Sequence, residues 1–223
     1  MAPRSVLVTG AARGIGAAIA ARYGAGGWRV VAPSRAELDL ADAAAVARFC
    51  ARDDLGHIDV LVNNAGENVL GSIASLPDAD LHRMMQTNAL AAWALVRRFA
   101  GPMAAIGWGR IVNVASVYGL KSRAARGAYT ASKAALIGLT KTAAIEYGAG
   151  NVLVNAIAPG FVDTELTRRN NTPEQIAALC EQVPLRRLAA PDEIAGLAVW
   201  LGSEQNTYVT GQTVAVDGGF LIQ

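Results

Sequence analysis

Short runs of aliphatic and β-branched residues recur along this chain, separated by longer stretches whose apolar positions fall at helical spacing. Val6–Val8, Arg29–Ala32, Val60–Val62, Arg110–Val114, Val152–Ile157 and Thr213–Val216 read as strands. Their nearly unbroken apolarity is that of strands covered on both faces. Arg13–Tyr23, Ala41–Arg52, Asp78–Phe99, Tyr129–Tyr147 and Asp192–Leu201 read as helices, with Pro77 and Pro191 at helix N-termini, where the missing N–H is not needed. The alternation predicts an α/β fold, a doubly wound parallel sheet with helices on both faces. One interval departs from it: Pro33-Ser34-Arg35 leads within a few residues to the strand-like Leu38-Asp39-Leu40. A crossover helix needs about a dozen residues, so the fold is expected to be shortened after the second strand. No repeat, low-complexity tract or linker divides the chain, and residues 1–223 are expected to form a single domain. Asn170–Gln182, after Pro159-Gly160, interrupts the rhythm and is the expected mobile insertion.

The 52% apolar and 17% charged content fits a well-buried core. Twenty basic against 18 acidic residues leave +2 at pH 7, too little and too dispersed for a nucleic acid or an anionic membrane. Any phosphate site must therefore be local. No apolar run approaches the roughly 18–20 residues of a membrane span, and Val6–Val8 ends at once in a glycine-rich loop. A cytoplasmic protein is expected. Cys50 and Cys180 lie far apart and lack metal-ligand spacing, so neither a disulfide framework nor a metal site is expected.

Three features carry candidate chemistry. Thr9-Gly10-Ala11-Ala12-Arg13-Gly14-Ile15-Gly16 follows the first strand and opens the first helix. Its glycines permit a tight turn and a close approach of backbone to a pyrophosphate at the positive end of that helix. Tyr129 and Lys133 stand at i and i+4, on one helix face. A tyrosine works as an acid/base near neutrality only where a cation stabilises its phenolate, and Lys133 could supply that charge. Ser116 follows the strand Arg110–Val114, and the carboxyl ends of parallel strands carry the ligand crevice.

Together with Asn63-Asn64-Ala65-Gly66, Asn88, Pro159-Gly160, Pro191-Asp192-Glu193-Ile194 and Asp217-Gly218-Gly219, these motifs stand in the order found in the short-chain dehydrogenase/reductase family. The chain resembles that family over nearly its whole length, and within it the 3-oxoacyl-carrier-protein reductase-like group, ketoreductases of many substrates. The resemblance implies a Rossmann fold and an oxidoreductase that moves a hydride between NADP(H) and a carbonyl or secondary alcohol. It implies that Tyr129 exchanges a proton with the substrate oxygen, that Ser116 orients that oxygen, and that Lys133 lowers the Tyr129 pKa and holds the nicotinamide ribose. Asn88 would bind a water that completes a proton relay. Gly10, Arg13, Gly14, Ile15 and Gly16 would hold the cofactor at the first turn, with Asn64, Ala65 and Gly66 along its adenosine half and Asp39 and Leu40 at the adenine. Val162 would offer backbone groups and Thr164 a hydroxyl, and the residues from 165 to about 188 would form a lid over the substrate.

Charge bears on the cofactor. An acidic residue just past the second strand favours NAD, whereas an arginine suits the 2′-phosphate of NADP. Ser34 and Arg35 occupy that place, with Arg13 in the neighbouring loop, so NADP(H) is expected to be preferred and NAD(H) possible. Arg168, Arg169, Arg186 and Arg187 in the lid read as solvated surface charge, with recognition of an acidic substrate the lesser alternative. A non-catalytic NADP(H)-sensing binding protein is the competing function, but a sensor need not keep Ser116, Tyr129 and Lys133 together. An epimerase or dehydratase of nucleotide sugars would need a further C-terminal domain, for which the residues after Thr164 leave no room. Relatives are commonly homotetramers or homodimers, and the apolar end Phe220-Leu221-Ile222 agrees with a contact between subunits.

Overall fold

A computed structural model describes residues 3–223. Strands β1 (Ser5–Val8), β2 (Arg29–Val31), β3 (Val60–Asn63), β4 (Gly109–Val114), β5 (Val152–Pro159) and β6 (Thr213–Val216) pair in the order β2-β1-β3-β4-β5-β6. Every pairing is parallel. The strand order reverses between β1 and β3, and in such sheets that point opens a crevice at the carboxyl ends of the strands.

All residues of β1, β3, β4 and β5 are buried, and successive side chains divide between two cores as the pleat requires. Leu7, Leu61 and Ile111 belong to the core under α2 (Ala43–Cys50), α4 (Ala91–Ile106) and α5 (Gly127–Tyr147). Val6, Val8, Val60, Val62 and Val112 belong to the opposite core, closed by α1 (Gly14–Ala25) and α8 (Pro191–Leu201). These are the doubly wound layers expected from the apolar runs.

The shortened interval folds differently from expectation. Leu38-Asp39-Leu40 is not a strand: the N–H groups of Glu37 and Leu38 both donate to the Ser34 carbonyl, at 3.1 and 2.9 Å, and close a turn. Pro33 follows β2 and brings no N–H with which to extend its ladder. Leu38 and Leu40 are nevertheless buried in the core, and it was their alternation that looked like a strand. The chain then enters α2, capped by the Asp42 carboxylate on the Ala44 N–H at 2.8 Å, and α2 carries the crossover to β3.

The expected helix Asp78–Phe99 runs on to Ile106 as α3 (Asp78–Met85), a π-helical turn at Gln86–Leu90, and α4. This 29-residue helix is long and apolar enough to cross a membrane, but Leu95, Phe99 and Met103 are buried in the core. The expected mobile insertion is helical as well. It holds the end of α6 (Glu165–Asn170) and α7 (Pro173–Glu181), the latter opened by a Thr172/Gln175 capping box. The C-terminal Phe220 is buried within the chain, edge-on to Phe161 and Tyr118, so Phe220 is not free for a subunit contact. Ile222 is exposed.

A buried polar chain fixes α5 against the sheet. Asn63 Nδ2 donates to Asn113 Oδ1 at 2.8 Å, Asn113 Nδ2 to Thr140 Oγ1 at 2.8 Å, and Thr140 Oγ1 to the Leu136 carbonyl at 2.9 Å. Asn113→Ala removes the middle link and strands two buried partners, at a cost of about 2–3 kcal/mol. Denaturant unfolding should show that loss with an unchanged m value; a loss below about 0.5 kcal/mol would mean that the chain holds nothing.

Candidate active site

A cleft of about 580 Å³ opens at the carboxyl ends of the strands, within the range of small-molecule sites. Into it face the β1–α1 turn, the β2–α2 turn, the loop after β3, the end of β4, the first turns of α5 and the segment from Pro159 to Asn171. Of the residues singled out in the sequence, Gly10, Arg13, Gly14, Ile15, Gly16, Ser34, Arg35, Asp39, Leu40, Asn64, Ala65, Gly66, Ser116, Tyr129, Lys133, Val162 and Thr164 all line it. Asn88 does not; it is buried behind Gly66 in the π-helical turn.

The β1–α1 turn has the form an anionic dinucleotide requires. Gly10 and Gly14 have φ of +65° and +56°, in the left-handed region that favours glycine. A Cβ on Gly16 would lie 2.3 Å from the Gly10 carbonyl oxygen. The N-terminus of α1 has neither a side-chain cap nor an acidic residue in its first turn, so its N–H groups and positive dipole end remain available to a phosphate. Thr9 Oγ1 accepts from the N–H groups of Asn64 and Ala65 at 3.0 and 3.1 Å, and Asn64 Nδ2 donates to the Thr9 carbonyl at 2.9 Å. These bonds hold the two loops edge to edge.

The cluster of Ser116, Tyr129, Lys133 and Asn88 is assembled from three elements. Ser116 follows β4 and caps the short turn Val117–Gly119 by accepting the Tyr118 N–H at 3.1 Å. Tyr129 is half-buried on the cleft wall, and Lys133, one turn further along α5, is 3% exposed. The Lys133 ammonium donates to the Val114 carbonyl at 2.8 Å and lies 5.9 Å from the Tyr129 ring centroid. A Cβ on Gly66 would lie 3.2 Å from Lys133 Nζ and 3.3 Å from Asn88 Oδ1, so the missing side chain lets these two groups share one chamber. Asn88 is held on both sides: Oδ1 accepts the Glu67 N–H, and Nδ2 donates to the Glu67 carbonyl and to Ser132 Oγ, each at 2.9 Å.

Burial pushes the Lys133 ammonium down to about 8, because desolvation penalises the charged form. Burial likewise lifts the Tyr129 phenol above its ordinary value, while the Ser116 hydroxyl and the Arg126 guanidinium pull it back. Arg126, which no motif singled out, thus adds a cation beside the phenol. Arg126 stands at i−3 from Tyr129 and i−7 from Lys133, a helical spacing that could have drawn attention to it.

The arginines named for the cofactor and the lid are mostly paired. Arg13 meets Glu165 at 2.7 Å, Arg35 meets Asp39 at 3.3 Å, Arg168 meets Asp163 at 2.8 Å and Arg187 meets Glu193 at 2.6 Å. Arg186 donates to the Glu181 carbonyl, and Arg169 lines the cleft with its surface exposed. Glu37, also absent from the sequence reading, accepts from the Ser34 N–H and hydroxyl, both at 2.8 Å, and these two donors hold its carboxyl below the ordinary value.

A parallel sheet with a glycine-rich β1–α1 turn, and a serine, a tyrosine and a lysine gathered in the crevice below it, defines an α/β protein of the Rossmann class. The profile described as Enoyl-(Acyl carrier protein) reductase matches residues 32–221. Nodulation protein G of Rhizobium sp. (strain N33) is 36% identical over 236 residues, which cover 97% of this chain and 96% of that protein. The 3-oxoacyl-acyl-carrier-protein reductase MabA of Mycobacterium tuberculosis is 35% identical over 228 residues, covering 97% and 92%. Among solved structures, one described as an NAD(P)-dependent gluconate 5-dehydrogenase from Beutenbergia cavernae, with bound NADP, superposes with TM-score 0.90 at 35% identity over 100% of this chain and 98% of that one. 4-Hydroxyisoleucine dehydrogenase complexed with NADH superposes with TM-score 0.93 at 29% identity over 99% of both. The chain belongs to the short-chain dehydrogenase/reductase family and is an oxidoreductase similar to the 3-oxoacyl-carrier-protein reductases.

The Lys133 pKa makes a prediction independent of turnover. Its folded value lies below the ordinary 10.5, so below about pH 8 the buried charge opposes folding in full, and the penalty fades as pH rises towards 10.5. Lys133→Met should stabilise the protein by roughly 3 kcal/mol at pH 7, with the gain gone near pH 10.5. Denaturant titrations at both pH values measure it, and a variant no more stable than the parent at pH 7 would contradict it.

Proposed function

We propose that the protein is an NADP(H)-dependent oxidoreductase that interconverts a carbonyl compound and its secondary alcohol, with Tyr129 as acid/base. The observation that carries this reading is the meeting of Ser116, Tyr129 and Lys133 in the cleft that also holds the glycine turn. When bound, the cofactor supplies a hydride to the carbonyl carbon or takes one from the carbinol carbon. In reduction the Tyr129 hydroxyl gives its proton to the carbonyl oxygen as that oxygen gains charge, so the product is the neutral alcohol; in oxidation the proton returns. Ser116 donates a hydrogen bond to the same oxygen. Lys133 stabilises the phenolate left on Tyr129 and holds the nicotinamide ribose, and its buried ammonium, poised near pH 8, can return the proton.

Asn88 closes the chamber behind Lys133 and orders the water through which protons reach it. Gly10 to Gly16 hold the pyrophosphate, Asn64 to Gly66 with Asp39 and Leu40 hold the adenosine half, and Val162 and Thr164 border the nicotinamide. Helices α6 and α7, on to about residue 188, form the lid. The 2′-phosphate falls to Ser34 and Arg35; the Arg35–Asp39 pair is exposed and weak, so the arginine is free to turn to a phosphate.

Tyr129→Phe should lower turnover by about 10²–10⁴-fold while the dissociation constant for NADPH stays within about twofold, and turnover equal to the parent would remove Tyr129 from the role. Arg35→Ala should lower kcat/KM for NADPH by about tenfold or more and leave that for NADH unchanged; equal losses for both cofactors would refute a 2′-phosphate contact. Leu90 and Trp93 on the long helix and Ile145 on α5 are exposed, which supports assembly into a homotetramer or homodimer through these helices rather than through Phe220. Sedimentation should show an oligomer, and a monomer at micromolar concentration would contradict this.

A further inference from the structure

We infer that Arg126, together with Tyr118, receives a carboxylate on the substrate, so that the site takes a short oxo acid or the corresponding hydroxy acid. The inference rests on the hydride-transfer reading above and names the substrate class for it.

Four guanidinium groups line the cleft, those of Arg13, Arg35, Arg126 and Arg169. Two are exposed and paired with carboxylates, and Arg169 is exposed. Arg126 alone is buried, with 7% of its surface exposed, and its side chain has no ion pair or hydrogen bond among the described residues. Its Nε is enclosed without an acceptor, and so is the hydroxyl of Tyr118, whose ring centroid lies 5.1 Å from the Arg126 guanidinium carbon. Buried polar groups are ordinarily hydrogen-bonded, and a charged one without a counter-ion is costly. Both of these groups are donors, or can act as donors, so the group that would satisfy them is an acceptor, and beside a guanidinium an anionic one.

The backbone aims this side chain. Ala125 has φ +64°, unusual for a residue with a side chain, and its carbonyl accepts the Gly71 N–H at 3.2 Å. That turn delivers Arg126 to the N-terminal boundary of α5, three residues before Tyr129. Residues at that spacing on a helix stand about 5–6 Å apart. An acid group on Arg126 would therefore lie only a few bonds from the carbon whose oxygen meets Tyr129. The planar fork of a guanidinium matches a carboxylate. The same charge draws the Tyr129 phenol down.

The test compares 2-oxobutanoate, acetoacetate and levulinate with their methyl esters, and with the N-acetylcysteamine thioester of acetoacetate. Oxidation of NADPH is followed, and in parallel the binding of each compound to the NADP⁺-loaded protein is measured by calorimetry. The parent should prefer at least one acid over its ester by about 100-fold in kcat/KM, and Arg126→Gln should erase that preference, weakening binding of the acid to the NADP⁺-loaded protein about 100-fold while binding of the ester stays within about threefold. Arg126→Lys should restore part of it. Esters or the thioester used as well as the acids by the parent would overturn the inference, as would equal losses for acid and ester in Arg126→Gln. Calorimetry separates the two readings. Acid binding that depends on Arg126 without any oxidation of NADPH would uphold the carboxylate site and refute hydride transfer, and oxidation of NADPH with no preference for acids would do the reverse.

Discussion

The contact on which the site depends is that between the Lys133 ammonium and the Val114 carbonyl, 2.8 Å long and buried. It ties the first turns of α5 to the last residue of β4, and so sets Tyr129, one helical turn earlier, against Ser116, two residues beyond Val114. It also requires the space left by Gly66, where any side chain would meet both Lys133 and Asn88. An ammonium in this position costs stability, as its depressed pKa records. The polar chain from Asn63 through Asn113 to Thr140 holds α5 against the same face of the sheet about two turns beyond Lys133.

The strands were legible in the sequence because both faces of the sheet are covered, which turns each strand into an unbroken apolar run. Leu38-Asp39-Leu40 misled for the same kind of reason: two buried leucines around an aspartate have the alternation of a strand, although a turn presents them. The π-helical turn at Gln86–Leu90 left no trace in the pattern, since one added residue in a turn barely disturbs helical spacing, and the burial of Asn88 followed from that turn. Tyr129 and Lys133 were legible because a helix places i and i+4 together. Arg126 was not, because among Lys121, Arg123 and Arg126 it has the look of solvated charge, and only the left-handed Ala125 turns it inward. Phe220 had the look of an apolar tail free for a partner until its ring was found against Phe161 and Tyr118.

The cleft holds its charges in two ways. Beside the β1–α1 turn, Arg13 and Arg35 rest on Glu165 and Asp39 in exposed pairs, which contribute little and can be exchanged for another anion. The Ser34 turn already binds an anion of its own chain, the Glu37 carboxylate, and a cofactor phosphate would compete with it there. Beside Tyr129, Arg126 is buried next to the phenol it influences. Charge that adapts thus lines one end of the crevice, and charge fixed by packing lines the other.

The most direct measurement is a crystal structure of the protein with NADP⁺ and a bound carbonyl compound. The carbonyl oxygen should lie about 2.6–3.2 Å from both Tyr129 Oη and Ser116 Oγ, with Lys133 Nζ still on the Val114 carbonyl. A carbonyl oxygen bound away from Tyr129, with the phenol turned out of the cleft, would contradict the assignment of Tyr129 as the acid/base.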